Sequence, residues 1–471
     1  MLQSKLIGLL NTFSAKEWKL LHKFVHSPYH NEHQGVKKLF VYLQEKKDCF
    51  SKENVSKVVL FAIVFGKKAV YKDAKIRLVG SYLLKVVEEF LMQESLKVNV
   101  FSKQILLLKS YRERQLSKHF TALMRLLQQQ QTKFSFQDAH YFLAQQQLSQ
   151  ELNQYIEQQQ NRSLEPNLQQ LSDSLDAFYL INKLKCCCAI MNYQNITAID
   201  YELPFADAVL QHLAKNNYAH IPIIRLYYLA LLTLKENDKE EYFAELKQTL
   251  FQNLTKISLH DLQDIFVLAR NYCIKRINNG DAAYLSELFD LYKIEIKEQI
   301  ILENGQIPPS TYKNIVTLGI HLQQFEWTEQ FINDYKTHIA SVFSEDVFHY
   351  NLARLFFDKK EYNKAIVQLN LVSFNEKFLA LDTRVLLAQA YYELDETEVL
   401  YALLDSFYAY LKRKKNIAYH QAHYLNFVSL LKKMIRILPK EKIKKEQLFQ
   451  LINRQKTVEK KWLLDKWQNL R

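Results

Sequence analysis

Glycine and proline, the residues that most often interrupt helices, are scarce in this sequence, with seven of each among 471 residues. Globular proteins usually contain about 7% glycine and about 5% proline. Because glycine supplies positive φ angles and proline removes a backbone donor, few positions can form sharp turns or helix breaks. No glycine lies between Gly80 and Gly280, which disfavours tight β-hairpins and glycine-rich phosphate loops. The sequence therefore predicts an all-α chain.

Residues 1–95 predict a basic N-terminal module of several short helices. Ser14 and Glu17 have the spacing of a capping box, and apolar residues follow them at helical spacing. That helix is expected to end near Ser27-Pro28 because proline cannot continue it. Further helices are expected over residues 35–46, 51–65 and 73–93, with Ser51 as the N-cap of the second of these.

Residues 96–172 predict a long helical region, rich in glutamine, that connects the N-terminal module to the rest of the chain from residue 173. Residues 128–170 contain 15 glutamines, yet Leu148, Leu152 and Tyr155 recur at spacings of four and three. Such spacing indicates one apolar face of a helix with a neutral polar face opposite. A disordered glutamine-rich linker is the alternative interpretation.

Residues 173–471 alternate amphipathic helices with short polar connections, which indicates helical hairpins. Leucine is followed by a small residue at Leu318-Gly319, Leu352-Ala353 and Leu387-Ala388, 34 and 35 positions apart. A small residue lets a second helix approach closely, so each hairpin can pack on its neighbour. In the middle copy, further positions fit the same pattern: Phe356, Tyr362, Ala365 and Leu369.

These residues resemble tetratricopeptide repeats, whose period is 34 residues. The resemblance covers residues 310–411 and extends by periodicity alone to residue 173. It implies an α-solenoid of hairpins similar to tetratricopeptide repeats, closed by basic C-terminal capping helices. The first helix of each pair would line a concave groove that binds a protein or peptide, with these side chains facing it: Tyr350, Arg354, Phe357, Gln389 and Tyr392. Packing of these aromatic residues between repeats is the other interpretation.

Three short segments also resemble a group of uncharacterised bacterial helical proteins. They are residues 24–31 with Ser27-Pro28-Tyr29, the Asn271–Ile274 stretch and the Lys461–Leu464 stretch. This resemblance implies a helical protein and no particular activity.

The net charge of +13 is unevenly distributed along the chain. Residues 1–134 contain 24 basic and 10 acidic residues, residues 135–411 contain 22 and 36, and residues 412–471 contain 17 and 4, giving +14, −14 and +13. Basic ends favour nucleic acid, a membrane surface or an acidic partner. They could equally complement the acidic middle, within one chain or between two copies that self-associate.

Basic residues surround the turn into the helix expected at residue 73, a pattern similar to a helix-turn-helix with a basic second helix. These candidate contacts to nucleic acid are Lys67, Lys68, Lys72, Lys75 and Arg77. A second basic set lies in the C-terminal tail: Lys412, Lys415, Lys440, Lys442, Lys444, Lys445, Lys460 and Lys461. The tail lysines could instead be the polar face of a capping helix whose apolar face carries Trp462, Leu463 and Trp467.

Cysteine and histidine patterns do not predict a disulfide framework or a metal centre. The five cysteines are an odd number, and adjacent side chains in Cys186-Cys187-Cys188 would diverge by about 100° on a helix. His22 and His26 lie one helical turn apart, but Pro28 interrupts the helix before His30 and His33. We therefore expect no metal, no cofactor and packing roles for the cysteines.

Motif and hydropathy patterns indicate a non-enzymatic cytoplasmic protein. The sequence lacks HExxH, GxSxG, Walker and paired CxxC motifs, and its apolar runs are too short for a signal peptide or a membrane span. The function predicted from sequence is a protein-binding scaffold or adaptor that uses a helical-repeat groove. The alternative is a regulator associated with nucleic acid through its two basic ends.

Overall fold

The computed structural model describes residues 2–131, 134–159, 167–194, 197, 199–216, 218–236, 238–340, 342–373, 377–413, 418–437 and 442–469. Regular structure in these residues is helical, which confirms the prediction of an all-α chain. Sheet-type pairing among them is confined to two isolated bridges, Glu303–Gln306 and Ile307–Ile339.

The chain divides into two compact units, Met1–Tyr179 and Leu180–Arg471. The three-part division predicted from sequence, with boundaries after residues 95 and 172, stays a prediction. Among the described residues of the first unit, eight helices precede the one that continues into the second. They are α1 Lys5–Leu10, α2 Ala15–His26, α3 Gln34–Glu45, α4 Lys57–Phe65, α5 Asp73–Val98, α6 Val100–Glu113, α7 Ser117–Gln131 and α8 Ala139–Gln159, and α9 Leu168–Gln194 follows them.

Two apolar cores lie in the first unit. Helices α1 to α5 surround buried side chains such as Leu21, Phe40 and Val87, whereas α6, α7 and α8 enclose a smaller cluster around Phe120. The glutamine-rich stretch contributes α8, which packs on α6 and α7 through Leu148. Over Ala139–Gln159 that stretch is therefore a packed helix.

Local capping chemistry sets the ends of the N-terminal helices. The predicted capping box is present: Ser14 Oγ accepts from the Glu17 backbone N–H at 3.3 Å, and Glu17 Oε2 accepts from the Ser14 N–H at 2.7 Å. Helix α2 then ends at His26, as expected. The predicted start at Ser51 is wrong, because Ser51 and Asn54 bond to each other's backbone in a turn and Ser56 caps α4 instead.

The second unit contains fourteen further α-helices among the described residues. They are α10 Ala206–Lys215, α11 Pro222–Lys235, α12 Glu240–Gln252, α13 Leu259–Asn278, α14 Tyr284–Lys297, α15 Pro309–His321, α16 Phe325–Asp334, α17 Ser344–Asp358, α18 Tyr362–Leu369, α19 Lys377–Glu393, α20 Thr397–Arg413, α21 Ala418–Arg436, α22 Lys442–Arg454 and α23 Lys460–Gln468. Successive helices pack in pairs, and α17 also contacts both α15 and α19. Alternate helices therefore share one surface.

Several helices end in the same left-handed turn, formed mostly without glycine. Gln323, Lys360 and Asp395 have positive φ angles of 57°, 63° and 57° after α15, α17 and α19. In each turn the next residue's N–H bonds a carbonyl five positions earlier, as in Glu361 N–H to Phe356 O at 2.8 Å. This is the Schellman arrangement, which usually has glycine at the left-handed position. Its use of other residues explains how a glycine-poor chain closes its hairpins.

The small residue of each predicted hairpin is buried where its two helices meet. Ala353 and Ala388 are fully buried, and Gly319 of α15 lies against Thr328 of α16. A methyl group at Gly319 would overlap Thr328 Oγ1, while Thr328 Cβ would be 3.4 Å away. Helices α15 and α16 therefore require glycine at this crossing.

We expect Gly319→Ala to lower the free energy of unfolding by about 1–3 kcal/mol, the usual range for overpacking. In a Thr328→Ala background the same change should cost much less, because the overlapping hydroxyl is gone. Urea unfolding of the four proteins gives the coupling energy directly. Gly8→Ala is the control, since no neighbour lies within 4 Å of its added methyl group. Equal losses from Gly319→Ala in both backgrounds would contradict the close crossing.

Candidate functional site

Helices α15, α17 and α19 form a cleft with a volume of about 370 Å³ in the second unit. Its wall mixes charged, amide and aromatic side chains with a few aliphatic ones. The polar and aromatic side chains that line it include those of Lys313, Thr317, Tyr350, Arg354, Asp382 and Gln389.

The lining residues occupy equivalent positions of the sequence period. Thr317, Asn351 and Leu386 follow one another at 34 and 35 positions, and Gln389 follows Arg354 at 35. Because the helices that carry them contact one another in order, equivalent residues converge on one surface. Residues at equivalent positions of the sequence period thus line the cleft.

Arg354 lines the cleft and contacts two carboxylates. Its Nε donates to Asp358 Oδ2 at 2.9 Å, one turn along α17, and its Nη1 donates to Glu459 Oε1 at 3.4 Å. Burial raises the pKa of Asp358 although the neighbouring guanidinium opposes that shift. Glu459 belongs to the segment that leads into α23, so the C-terminal part of the chain forms one wall.

Gln389 is the most buried polar residue of the wall, with 1% of its surface exposed. Its Nε2 donates to Glu459 Oε2 at 3.4 Å. Its Oε1 is buried without a hydrogen-bond partner among the described residues. A buried acceptor without a partner is costly, so the cleft has unused capacity to bind a donor.

An ion pair joins the two outer helices of the cleft. Lys313 Nζ of α15 lies 3.0 Å from Asp382 Oδ2 of α19, and the Tyr424 hydroxyl donates to Asp382 Oδ1 at 2.7 Å. The same ammonium lies 5.5 Å from the centre of the Tyr350 ring. Burial raises the pKa of Tyr350, so its hydroxyl stays protonated.

A smaller cleft of about 310 Å³ continues along α15 beyond Arg354. Thr317 and Arg354 line both clefts, and His321 and Phe325 line the smaller one. Together the two clefts make a groove that runs along the exposed side of α15.

Three of the five residues predicted to face a groove line the cleft: Tyr350, Arg354 and Gln389. Phe357 instead lies in the core between α17 and α18, with its ring 5.3 Å from that of Tyr362. The Tyr392 ring packs edge-on against Trp462 of α23 at 5.3 Å. Packing therefore accounts for these two aromatic residues.

The sequence reasoning missed Lys313, Asp382 and Glu459. Lys313 and Asp382 lie 69 positions apart, which is two periods, so extending the pattern to polar residues would have found them. Glu459 follows the periodic region and its local sequence gives no sign of the contact with Arg354. Only the folded position of α23 brings it there.

The five basic residues predicted to contact nucleic acid fall into two groups. Lys67, Lys68 and Lys72 are exposed in the connection between α4 and α5 and form no ion pair with any described residue. Arg77 pairs with Asp73 at 2.5 Å, and Lys75 lies 5.9 Å from the centre of the Phe65 ring. These three exposed lysines of one short connection are called the cationic patch below.

The C-terminal lysines are only partly described. Lys415 and Lys440 lie outside the described residues, as does the side chain of Lys442. Lys412 Nζ lies 5.6 Å from the centre of the Tyr408 ring, and Lys460 Nζ donates to Asn453 O at 2.7 Å. Both contacts lie within this end of the chain.

The candidate metal ligands considered from sequence make contacts within the protein. His22 Nδ1 contacts Gln44 Oε1 at 2.7 Å, and His26 Nδ1 contacts the His22 carbonyl at 2.8 Å. Cys187 and Cys188 are buried, and burial raises the pKa of both thiols.

One set of three potential ligands lies together at the start of α13. Donor atoms of His260, Asp261 and Asp264 all fall within 4.8 Å of one another. Asp261 already forms an ion pair with Lys185 and accepts from Ser258 Oγ at 2.7 Å. These contacts engage both of its oxygens.

Comparison of the chain with protein-family models, with curated proteins and with solved structures finds no match in any of the three. In the described part of the chain, every helix is too short or too polar to cross a bilayer.

Proposed function

We propose that the protein is a non-enzymatic cytoplasmic scaffold or adaptor that binds a peptide segment of another protein in the cleft between α15, α17 and α19. The observation that carries this proposal is the convergence of equivalent side chains from these three alternate helices on one polar cleft. A surface of this kind is what a solenoid of tetratricopeptide-like hairpins presents on its concave side, and such a solenoid is part of the proposal.

The chemistry of the wall suits a peptide. Arg354 and the Tyr350 ring are the residue types that contribute most to protein interfaces. Gln389 offers a buried acceptor, without a partner among the described residues, for a backbone N–H, while Lys313 and Asp382 provide charges of both signs at the rim. Because the groove continues to His321 and Phe325, it could hold an extended segment of several residues.

Thr317→Trp tests this function, because an indole at this exposed position, which borders both clefts, would obstruct them without entering the core. We expect the tagged wild-type protein to retain a protein partner after purification from its own cells, and Thr317→Trp to lose at least about 90% of it. Val367→Trp is the matched control, since Val367 is exposed on α18 and does not line the cleft. Equal retention by both variants would contradict the proposal.

The cationic patch favours a second candidate, binding of nucleic acid by the first unit. Lys67, Lys68 and Lys72 are exposed and form no ion pair with the described residues. Nuclease treatment during the same purification distinguishes the two functions. Loss of the co-purified material after nuclease treatment would favour this candidate. Its binding should also weaken with about the third power of the salt concentration, as expected for three phosphate contacts.

A further inference from the structure

Glu459 occupies the cleft as a carboxylate supplied by the chain itself. It contacts Arg354 through one oxygen and Gln389 through the other, both at 3.4 Å. From this arrangement we propose that the Arg354–Gln389 pair recognises an aspartate or glutamate side chain of the bound peptide, and that Glu459 is an internal competitor which this side chain displaces. The inference rests on the proposed function and specifies the partner's chemistry.

The contacts of Glu459 are long for its charge. Hydrogen bonds between a charged donor and a carboxylate usually measure about 2.7–2.9 Å, as in the Arg354–Asp358 contact of 2.9 Å. Glu459 therefore holds the site loosely, and a free carboxylate could approach Arg354 and Gln389 more closely. Exchange of one carboxylate for another also leaves the charge of the cleft unchanged.

The buried Oε1 of Gln389 indicates what the peptide adds. Glu459 accepts a hydrogen bond from Gln389 Nε2 but leaves the buried Oε1 without a partner among the described residues. An acidic residue in an extended peptide carries both a carboxylate and a backbone N–H. It could therefore accept from Arg354 and Gln389 Nε2 while donating to Gln389 Oε1, which Glu459 does not do.

The anchors of α23 lie beyond Glu459, so its side chain can leave the cleft while the helix stays docked. Trp462 Nε1 donates to Glu393 Oε1 at 2.9 Å, and Lys466 Nζ lies 2.7 Å from the same oxygen. Glu459 itself has a positive φ of 50°, an uncommon backbone conformation for this residue type. Helix α23 thus places the Glu459 carboxylate at a site where another carboxylate can replace it.

The other acidic residues near this position are already paired, so they do not favour a basic peptide there. Asp358 is paired with Arg354, and Asp382 with Lys313 and Tyr424, so displacement of Glu459 uncovers a cation and an amide. An incoming lysine would meet the Arg354 guanidinium at close range. Like charges at such a distance are unfavourable.

Saturation-transfer NMR with three blocked pentapeptides tests this inference on the full chain. The probes are Ac-Ala-Ala-Glu-Ala-Ala-NH₂ and its counterparts with glutamine or lysine at the centre. We expect Glu459→Ala to bind the glutamate peptide about fivefold more tightly than the wild type, since the site is no longer occupied from within. Lys460→Ala is the control and should bind like the wild type.

Removal of the guanidinium in the Glu459→Ala background should abolish this preference. Arg354→Gln/Glu459→Ala should lose the glutamate peptide, and Arg354→Lys/Glu459→Ala, which keeps the charge beside Asp358, should retain weak binding. The inference fails if Glu459→Ala binds no better than the wild type, or if the glutamine or lysine peptide binds as well as the glutamate peptide. If the peptides bind without preference for the carboxylate and Thr317→Trp blocks that binding, the result overturns this inference alone. Peptide binding that Thr317→Trp leaves intact would instead overturn the proposed function.

Discussion

Glu295→Ala is expected to lower the free energy of unfolding by about 3–5 kcal/mol at pH 8, the range for breaking a buried ion pair. Glu295 of α14 is 2% exposed, and its two oxygens lie 2.8 and 3.0 Å from Arg270 Nη1 of α13. Removal of the carboxylate leaves the largely buried guanidinium without a counter-charge. Urea unfolding followed by circular dichroism measures the loss.

Two further variants separate this effect from general disruption. Replacement of the whole pair, Arg270→Met with Glu295→Leu, should restore stability to about the wild-type value because no charge is then buried. Glu298→Ala, at an exposed position at the end of the same helix, should leave the unfolding curve unchanged. A loss from Glu295→Ala no larger than that from Glu298→Ala would contradict the role of the pair.

The same residue makes stability depend on pH. Burial raises the pKa of Glu295 from 4.5 to about 7, against the opposing effect of Arg270. The folded chain therefore holds a proton at pH values where the unfolded chain has released it. The stability gained from this bound proton is present at acidic pH and is lost as pH rises from about 4.5 to about 7, above which the ion pair with Arg270 remains. Glu295→Gln should remove this part of the pH dependence.

Leu463→Ala is expected to destabilise the second unit by about 2–5 kcal/mol and to loosen α23. Leu463 is fully buried in the cluster that joins α19 to α23, together with Leu448 and Ile452. Because α23 has only nine residues, this side chain is its main apolar anchor. Hydrogen exchange should show faster exchange of the α23 amides than in the wild type.

The loosened helix should also affect the cleft. Because α23 carries Glu459 to Arg354, Leu463→Ala should bind the glutamate pentapeptide more tightly than the wild type does. Leu463→Met preserves most of the volume and should cost less than about 1.5 kcal/mol. Unchanged exchange in α23 together with unchanged stability would contradict the anchoring role.

Local signals in the sequence predicted much of the fold. Glycine and proline scarcity indicated the all-α class, and the capping box at Ser14 and Glu17 predicted the start of α2. The start of α4 was misjudged because Ser51 and Ser56 are both good N-caps, and only the reciprocal bonds of Ser51 with Asn54 decide between them. Left-handed turns at Gln323 and Lys360 were not predictable, since such residues rarely adopt them.

Part of the site was also predictable. Arg354 and Gln389 were selected because the period places them on the first helices of adjacent hairpins. The period does not distinguish a residue that faces the cleft from one that packs behind it, which is why Phe357 and Tyr392 were included. Glu459 contacts Arg354, which lies 105 positions earlier in the sequence, and this contact depends on how α23 packs.

Site-specific photocrosslinking in the protein's own cells tests the central claim most directly. Benzoylphenylalanine in place of Thr317 would lie within the cleft, whereas the same group in place of Val367 would lie outside it. We expect a protein crosslink at position 317 that is absent at position 367 and survives nuclease treatment. A crosslink at both positions, or at neither while the partner still co-purifies, would contradict binding in this cleft.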